Sequence, residues 1–156
     1  MYEWLNMWAE QYGSHEALCD NKGSYSYESL NTSVKNLSIG FADMGLRKSD
    51  KVILQLDNCN EFVIVCFALM SMGVIPILAV PGLRVNDLDI IAKKANSAGI
   101  FISVDHFMDN VTKKNFTLPE LIFYELLRIF YEYPPFSFFC SIIRTVKNTF
   151  LEVVLC

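Results

Sequence analysis

The sequence predicts an α/β fold built on an open, mostly parallel sheet covered by helices, and three observations predict it. From Lys51 to Val104, runs of strand length alternate with helical patterns in the order strand, helix, strand, helix, strand. The first of these strands, Lys51 to Leu56, holds Val52, Ile53, Leu54 and Leu56, an apolar run of the kind buried on both faces of a parallel sheet. Residues 62 to 83 carry no charge, a length that raises a membrane-spanning helix, but Gly73, Pro76 and Pro81 cut the stretch into a helix and a strand, both expected to be buried.

Each element has a local cause. Trp4, Leu5, Trp8 and Tyr12 recur at helical spacing, predicting an amphipathic helix that ends near Gly13. His15 to Asp20 and Gly23 to Tyr25 flank Asn21-Lys22, a pair suited to a tight hairpin turn. Ser26 is placed to cap a helix whose residues Leu30, Val34, Leu37, Phe41 and Met44 step by three or four, with Gly45 as its left-handed stop. Asn58 and Glu61 form a capping box for a helix running to Met72, apolar nearly all round and ended by Gly73. Val74 to Val80 reads as a strand. Asn86, Asp87 and Asp89 open a further helix whose end carries Lys93 and Lys94, as the helix dipole favours, and Ile100 to Val104 closes the pattern. The chain shows no internal repeat.

The character changes near residue 110. From Phe116 onward the chain holds ten of its 21 aromatic residues, no glycine, and Pro134-Pro135. Residues 1–109 are therefore read as the α/β subdomain and 110–156 as a divergent, aromatic-rich tail, either frameshifted or helical, with a helix expected over Leu118 to Tyr133 from Pro119. That tail is expected to be loosely held, and exposed apolar surface is expected to drive self-association.

Composition limits the function. In 156 residues, 53% are hydrophobic and 19% charged, the balance of a globular domain. A net charge of -4 with few adjacent basic pairs argues against nucleic-acid binding. The amino terminus lacks a basic segment followed by an apolar one, so the expected location is cytoplasmic, and membrane binding is not expected because the tail lacks a basic face. Cysteines 19, 59, 66, 140 and 156 form no C-x-x-C pair, and Cys59 and Cys66 on one helix sit about 10 Å apart, too far to bridge. They read as reduced, buried, small hydrophobes.

Candidates for chemistry are sparse. His15 and His106 stand in no metal-ligating pattern, and G-x-S-x-G, H-E-x-x-H, G-x-G-x-x-G and the G-x-x-x-x-G-K-[ST] loop are all absent. Ligands of open α/β sheets sit at the carboxyl ends of the strands, here Asp57-Asn58, Pro81-Gly82-Leu83-Arg84 and Asp105-His106. Arg84 is placed to reach an anion, and Asp57 and Asp105 to face a site. A plain exposed loop arginine is the favoured account of the first, and helix capping and solvation explain the two aspartates without function, so no residue is assigned a catalytic, cofactor-binding or metal-binding role.

Two motifs carry a family resemblance. Tyr25-Ser26-Tyr27-Glu28-Ser29-Leu30 is similar to the L-[TS]-Y-x-E-L motif of the adenylate-forming ligases, the AMP-dependent synthetase/ligase family, and the segment from Leu69 through Gly73 and Pro76 to Leu78 is similar to their L-x-x-G-x-x-x-[VL]-P. Lys51 to Asn58 resembles the R-V-V-V-Q-L-P-N of the 2,3-dihydroxybenzoate-AMP ligases of siderophore synthesis, and Glu61-Phe62, Cys66 to Leu69 and Gly73 to Arg84 extend the likeness, which covers Trp8 to Asp105. Ser29 replaces the usual Glu, removing the carboxylate that would pair with the Ser26 cap, and Leu83 stands where the aryl-acid branch has His.

The resemblance implies the amino-terminal part of a larger fold, incomplete relative to the family. It also implies an activity: a carboxylic acid reacts with ATP, assisted by Mg, to give an acyl-adenylate and pyrophosphate, and the acyl group then passes to a thiol such as a carrier-protein phosphopantetheine. The phosphate loop, ribose-binding Asp and catalytic Lys of that chemistry lie beyond the matched segment. No glycine follows Gly99, and cradling phosphates with backbone N–H groups demands glycine, so this chain is expected to bind no cofactor and to be inactive alone. The alternative is a non-enzymatic α/β interaction module whose aromatic tail docks a partner.

Overall fold

The computed structural model describes residues 2–102 and 122–124, all within the first of two units, Met1–Leu126 and Leu127–Cys156. Its elements are α1 (Tyr2–Tyr12), β1 (Glu16–Asp20), β2 (Gly23–Ser26), α2 (Tyr27–Asp43), β3 (Lys51–Gln55), α3 (Asn60–Ser71), β4 (Ile75–Leu78), α4 (Val85–Ala95), β5 (Gly99–Ile102) and β6 (Ile122–Tyr124). The strands β1 and β2 form a separate antiparallel hairpin. The other four make one sheet in the order β4-β3-β5-β6, every pairing parallel, with Ile53 opposite both Ile77 and Ile100. This is the predicted fold class.

The sheet is organised around β3. Val52, Ile53, Leu54 and Gln55 have no exposed surface, so both faces of the strand are covered. The connections explain the cover: β3 to β4 and β4 to β5 step in opposite directions, and right-handed crossovers then place α3 and α4 on opposite faces. Helix α2 adds to one layer, burying Leu30, Val34, Leu37 and Phe41 as its spacing predicts, with the Phe41 ring 5.1 Å from that of Phe101 on β5. At its start Ser26 Oγ accepts the Ser29 N–H at 3.2 Å, while the Ser29 hydroxyl donates to the Ser26 carbonyl at 3.1 Å. A serine thus supplies a short local tie where a carboxylate is usual. Lys51 Nζ donates to the Ala95 carbonyl at 2.9 Å, putting a cation at the carboxyl end of α4.

Three expectations need correction. The capping box at Asn58 and Glu61 does not form: the cap residue of α3 is Cys59, without a side-chain bond, and the helix is capped from a distance. Asp20 Oδ2 accepts the Asn60 N–H at 2.9 Å, while its Oδ1 accepts Lys22 and Gly23 N–H within the hairpin turn, and Asn60 Nδ2 donates to the Gly23 carbonyl at 2.9 Å. A turn carboxylate already rigid in its hairpin outcompetes a flexible local side chain, and Lys22 adds an ion pair to Glu61 at 3.5 Å.

The second correction concerns burial. Among the described residues strand β4 lies at the sheet edge, with Ile75 and Leu78 exposed, and α3 is fully buried only along Asn60, Ile64, Val65, Ala68 and Leu69. An uncharged run therefore marks an edge here as well as a core. Ile75 N–H bonds to Asp50 and Ala79 N–H to Leu54, so the alternate residues Pro76, Leu78 and Val80 turn their backbone nitrogens away from β3. Pro76 sits where the missing donor costs no ladder bond.

The third lies in the tail. Ile122–Tyr124, expected within a helix, forms β6 and pairs with β5, Ile100 opposite Ile122 and Ile102 opposite Tyr124. Ile, Phe and Tyr are strong strand formers, and β5 would otherwise leave an unpaired backbone edge. Ser103, Val104 and the rest of the expected helix lie outside the described residues.

These ties can be tested by substitution. Gly73 ends α3 at φ 75°, and a Cβ there would lie 3.0 Å from Lys48 Cγ, so Gly73→Ala should lower stability by about 1–2 kcal/mol in urea unfolding. The Asp20 carboxyl is held below its ordinary value of 3.8, chiefly by the Asn60 N–H and then by Lys22. A depressed folded-state pKa adds stability above the unfolded value and loses it as pH falls through the folded one. Wild type should therefore lose more stability than Asp20→Asn on acidification below about pH 4, as thermal melts at stepped pH will show.

Candidate functional site

The chain direction across the sheet reverses between β3 and β5, so the crevice that open α/β sheets use for ligands lies beyond the carboxyl ends of these two strands. The segment after β3 supplies Leu56, Asp57 and Asn58, the last two exposed. The segment after β4, next to it, runs from Ala79 through Pro81-Gly82 to Arg84. Asp105 and His106, expected on the β5 side, lie outside the described residues.

Gln55 joins the first two segments. It is wholly buried at the end of β3, and its Nε2 lies 3.2 Å from the Val80 carbonyl, 3.1 Å from that of Pro81 and 2.7 Å from that of Leu83. Two N–H groups serve three acceptors, so one bond is shared, and a shell of carbonyls alone fixes which end of the amide faces the loop. The amide Oε1 is buried without a hydrogen-bond partner. One side chain thus pins the whole turn that leads into α4, where Asp87 Oδ2 accepts the Arg84 N–H at 3.3 Å and helps fix the first turn.

Of the residues singled out from sequence, Asp57 and Arg84 are brought to the carboxyl ends of neighbouring strands, and the Arg84 guanidinium is exposed where it can meet an anion. His15 is elsewhere, in the turn between α1 and β1, with Nδ1 3.0 Å from the Tyr12 carbonyl. The cysteine expectation is corrected in part: Cys19 is exposed on β1, while Cys59 and Cys66 are half-buried. Burial pushes both of these thiols above their ordinary value, which keeps them protonated and poorly nucleophilic at neutral pH. Cys140 and Cys156 lie outside the described residues.

Motif reading misses Gln55. The signal is there, since an amide interrupting Val52-Ile53-Leu54 in a strand buried on both faces must find partners. It misses Asp20 and Asn60 too, because a contact forty residues distant leaves no local pattern.

No nucleotide or Mg site is assigned among the described residues. Among them no three His, Cys, Asp or Glu side chains gather to hold a metal. Gly82 is the one glycine at these strand ends, and a Cβ built on it meets open space. No described helix is long and apolar enough to cross a membrane.

Residues 5–126 match the family described as AMP-binding enzyme, and the chain belongs to that family. It is 33% identical over 94 residues to the 2,3-dihydroxybenzoate-AMP ligase of Bacillus subtilis, a match covering 60% of this chain and 17% of that enzyme. It is likewise 33% identical over 88 residues to the vibriobactin-specific 2,3-dihydroxybenzoate-AMP ligase of Vibrio cholerae, covering 56% of this chain and 16% of the relative. Among solved structures, apo MbtA of Mycobacterium smegmatis superposes with a TM-score of 0.65 at 25% identity, over 71% of this chain and 22% of that one. The chain thus spans about a sixth of the length of the curated relatives it matches.

If Gln55 pins the turn, Gln55→Leu should leave buried carbonyls without a donor and cost about 1–3 kcal/mol in thermal unfolding. Amide exchange at Leu83 and Arg84 should quicken more than at Val52. Equal acceleration at both would show that the amide acts on the sheet as a whole.

Proposed function

We propose that this chain supplies the amino-terminal scaffold of an ATP-dependent carboxylate-AMP ligase acting on an aryl acid for siderophore or nonribosomal peptide synthesis. The observation that carries the reading is the coincidence of the family match with the sheet: residues 5–126 take in β3 to β6, the unit whose strand ends border a ligand crevice. The names of the relatives support the aryl acid, since two of them are 2,3-dihydroxybenzoate-AMP ligases. In the complete ligase, ATP and Mg would be held by segments beyond those described, and a carrier-protein phosphopantetheine thiol would accept the acyl group.

The role of this chain's own residues is positional. Gln55 holds the turn at Val80 to Leu83, which sets one wall beside the crevice, and Arg84 offers a cation at its rim. Alone, the chain is proposed to be inactive, because no run in its sequence has the glycines needed to surround a triphosphate. Self-association belongs to the same proposal: Leu78 and Val80 are 61% and 64% exposed on the edge strand and the turn after it, and Pro76 directs such contact to side chains instead of strand pairing.

The purified chain is expected to give no carboxylate-dependent exchange between pyrophosphate and ATP. A chimera in which residues 5–126 replace the matching segment of the Bacillus subtilis 2,3-dihydroxybenzoate-AMP ligase should restore exchange with dihydroxybenzoate. A folded chimera without exchange overturns the scaffold reading, and exchange by the isolated chain overturns the proposal that it is inactive.

A further inference from the structure

Two sulfur atoms meet on α3, away from its fully buried line. That line runs through Asn60, Ile64, Val65, Ala68 and Leu69. Cys66 and Met70 fall outside it and are both half-buried. They stand four residues apart, so their side chains share one face of the helix, one turn from each other. The Cys66 thiol donates toward Met70 Sδ at 3.8 Å.

Packing accounts for part of this contact, since a methionine is pliable enough to lay its thioether against many neighbours. Two further features go beyond packing. The first is the span: two metal–sulfur bonds of about 2.3 Å to one shared ion meet at roughly 110° when the sulfurs lie 3.8 Å apart, so an ion seats between them without either side chain leaving its place. The second is charge. Residues 62 to 83 carry none, and Phe62, Val63 and Phe67 stand one turn from the pair on the same helix. A thiolate with a monovalent cation is neutral in those surroundings, whereas a divalent ion leaves a net positive charge beside apolar side chains.

We infer that Cys66 Sγ and Met70 Sδ form a two-donor site for a soft monovalent cation of the Cu(I) class. Thiolate and thioether are both soft donors and select such an ion over harder divalent ones. On binding, the Cys66 S–H bond breaks, its proton leaves to solvent, and each sulfur gives a lone pair to the ion. The metal is neither oxidised nor reduced. The half-exposed face gives the ion its way in, and the site does not depend on the ligase scaffold or on the strand-end crevice.

Cys19 supplies an internal control, because it is more exposed than Cys66 and its thiol meets the Asp20 carbonyl instead of a second sulfur. The full chain, reduced and kept free of oxygen, should be equilibrated with Cu(I) buffered by bicinchoninate over a range of free concentrations. A pulse of iodoacetamide read by peptide mass spectrometry then reports each thiol against its own metal-free rate. Cys66 is expected to be shielded at about tenfold lower free Cu(I) than Cys19, the smaller end of what even an outer partner of a metal ligand contributes. Met70→Leu conserves volume and should remove that lead with circular dichroism unchanged. Zinc in place of Cu(I) should give Cys66 no lead. Shielding of Cys66 at no lower Cu(I) than Cys19 overturns the proposal, as does a lead that survives Met70→Leu or one that zinc reproduces. The Cu(I) and zinc readings on the wild-type chain stand whether or not the variant folds.

Discussion

Burial of β3 on both faces from Val52 to Gln55 is the constraint on which the rest of this fold depends. A strand whose two faces are both apolar has no stable arrangement until a layer of helices covers each, and opposite crossover directions deliver those layers from the segments immediately following it. The neighbouring strands satisfy its backbone, α2 thickens one layer through Phe41, and Lys51 at its start ties down the end of α4. The polar terminus of the same strand, Gln55, then converts burial into shape, since an amide forced inside must find partners and finds them in the adjoining turn.

Much of this is legible in the sequence because it is local and periodic. The alternation from Lys51 onward, the three-and-four stepping of Leu30 to Phe41, and the stops at Gly45 and Gly73 each record a physical preference within one turn or one strand. What the sequence hides is relational. The carboxylate of Asp20 gives no hint that it caps a helix forty residues later, because the hairpin must fold before the geometry exists. Asn58 and Glu61 fit a capping pattern, yet the distant carboxylate takes the site.

Burial of β4 misleads for a related reason: an uncharged run states that water contact is tolerated or avoided without stating which, and only the strand order puts Ile75 to Leu78 at an edge. The strand at Ile122–Tyr124 shows the same limit, since apolar residues too numerous for one helical stripe suit a strand equally once a free edge awaits them. At the candidate site, topology alone places Asp57 and Arg84 correctly, whereas finding Gln55 requires asking where a buried amide sends its hydrogens.

Pro76 carries a consequence in time. During synthesis β3 and β4 emerge before β5 exists, and a two-stranded parallel ribbon of the two would present apolar side chains with both flanks open. On the β4 flank, a backbone nitrogen without a hydrogen interrupts the row of donors that another nascent chain would need in order to extend the ribbon. The residue therefore acts before the finished fold does, favouring the wait for β5 on the other flank over capture by a neighbour.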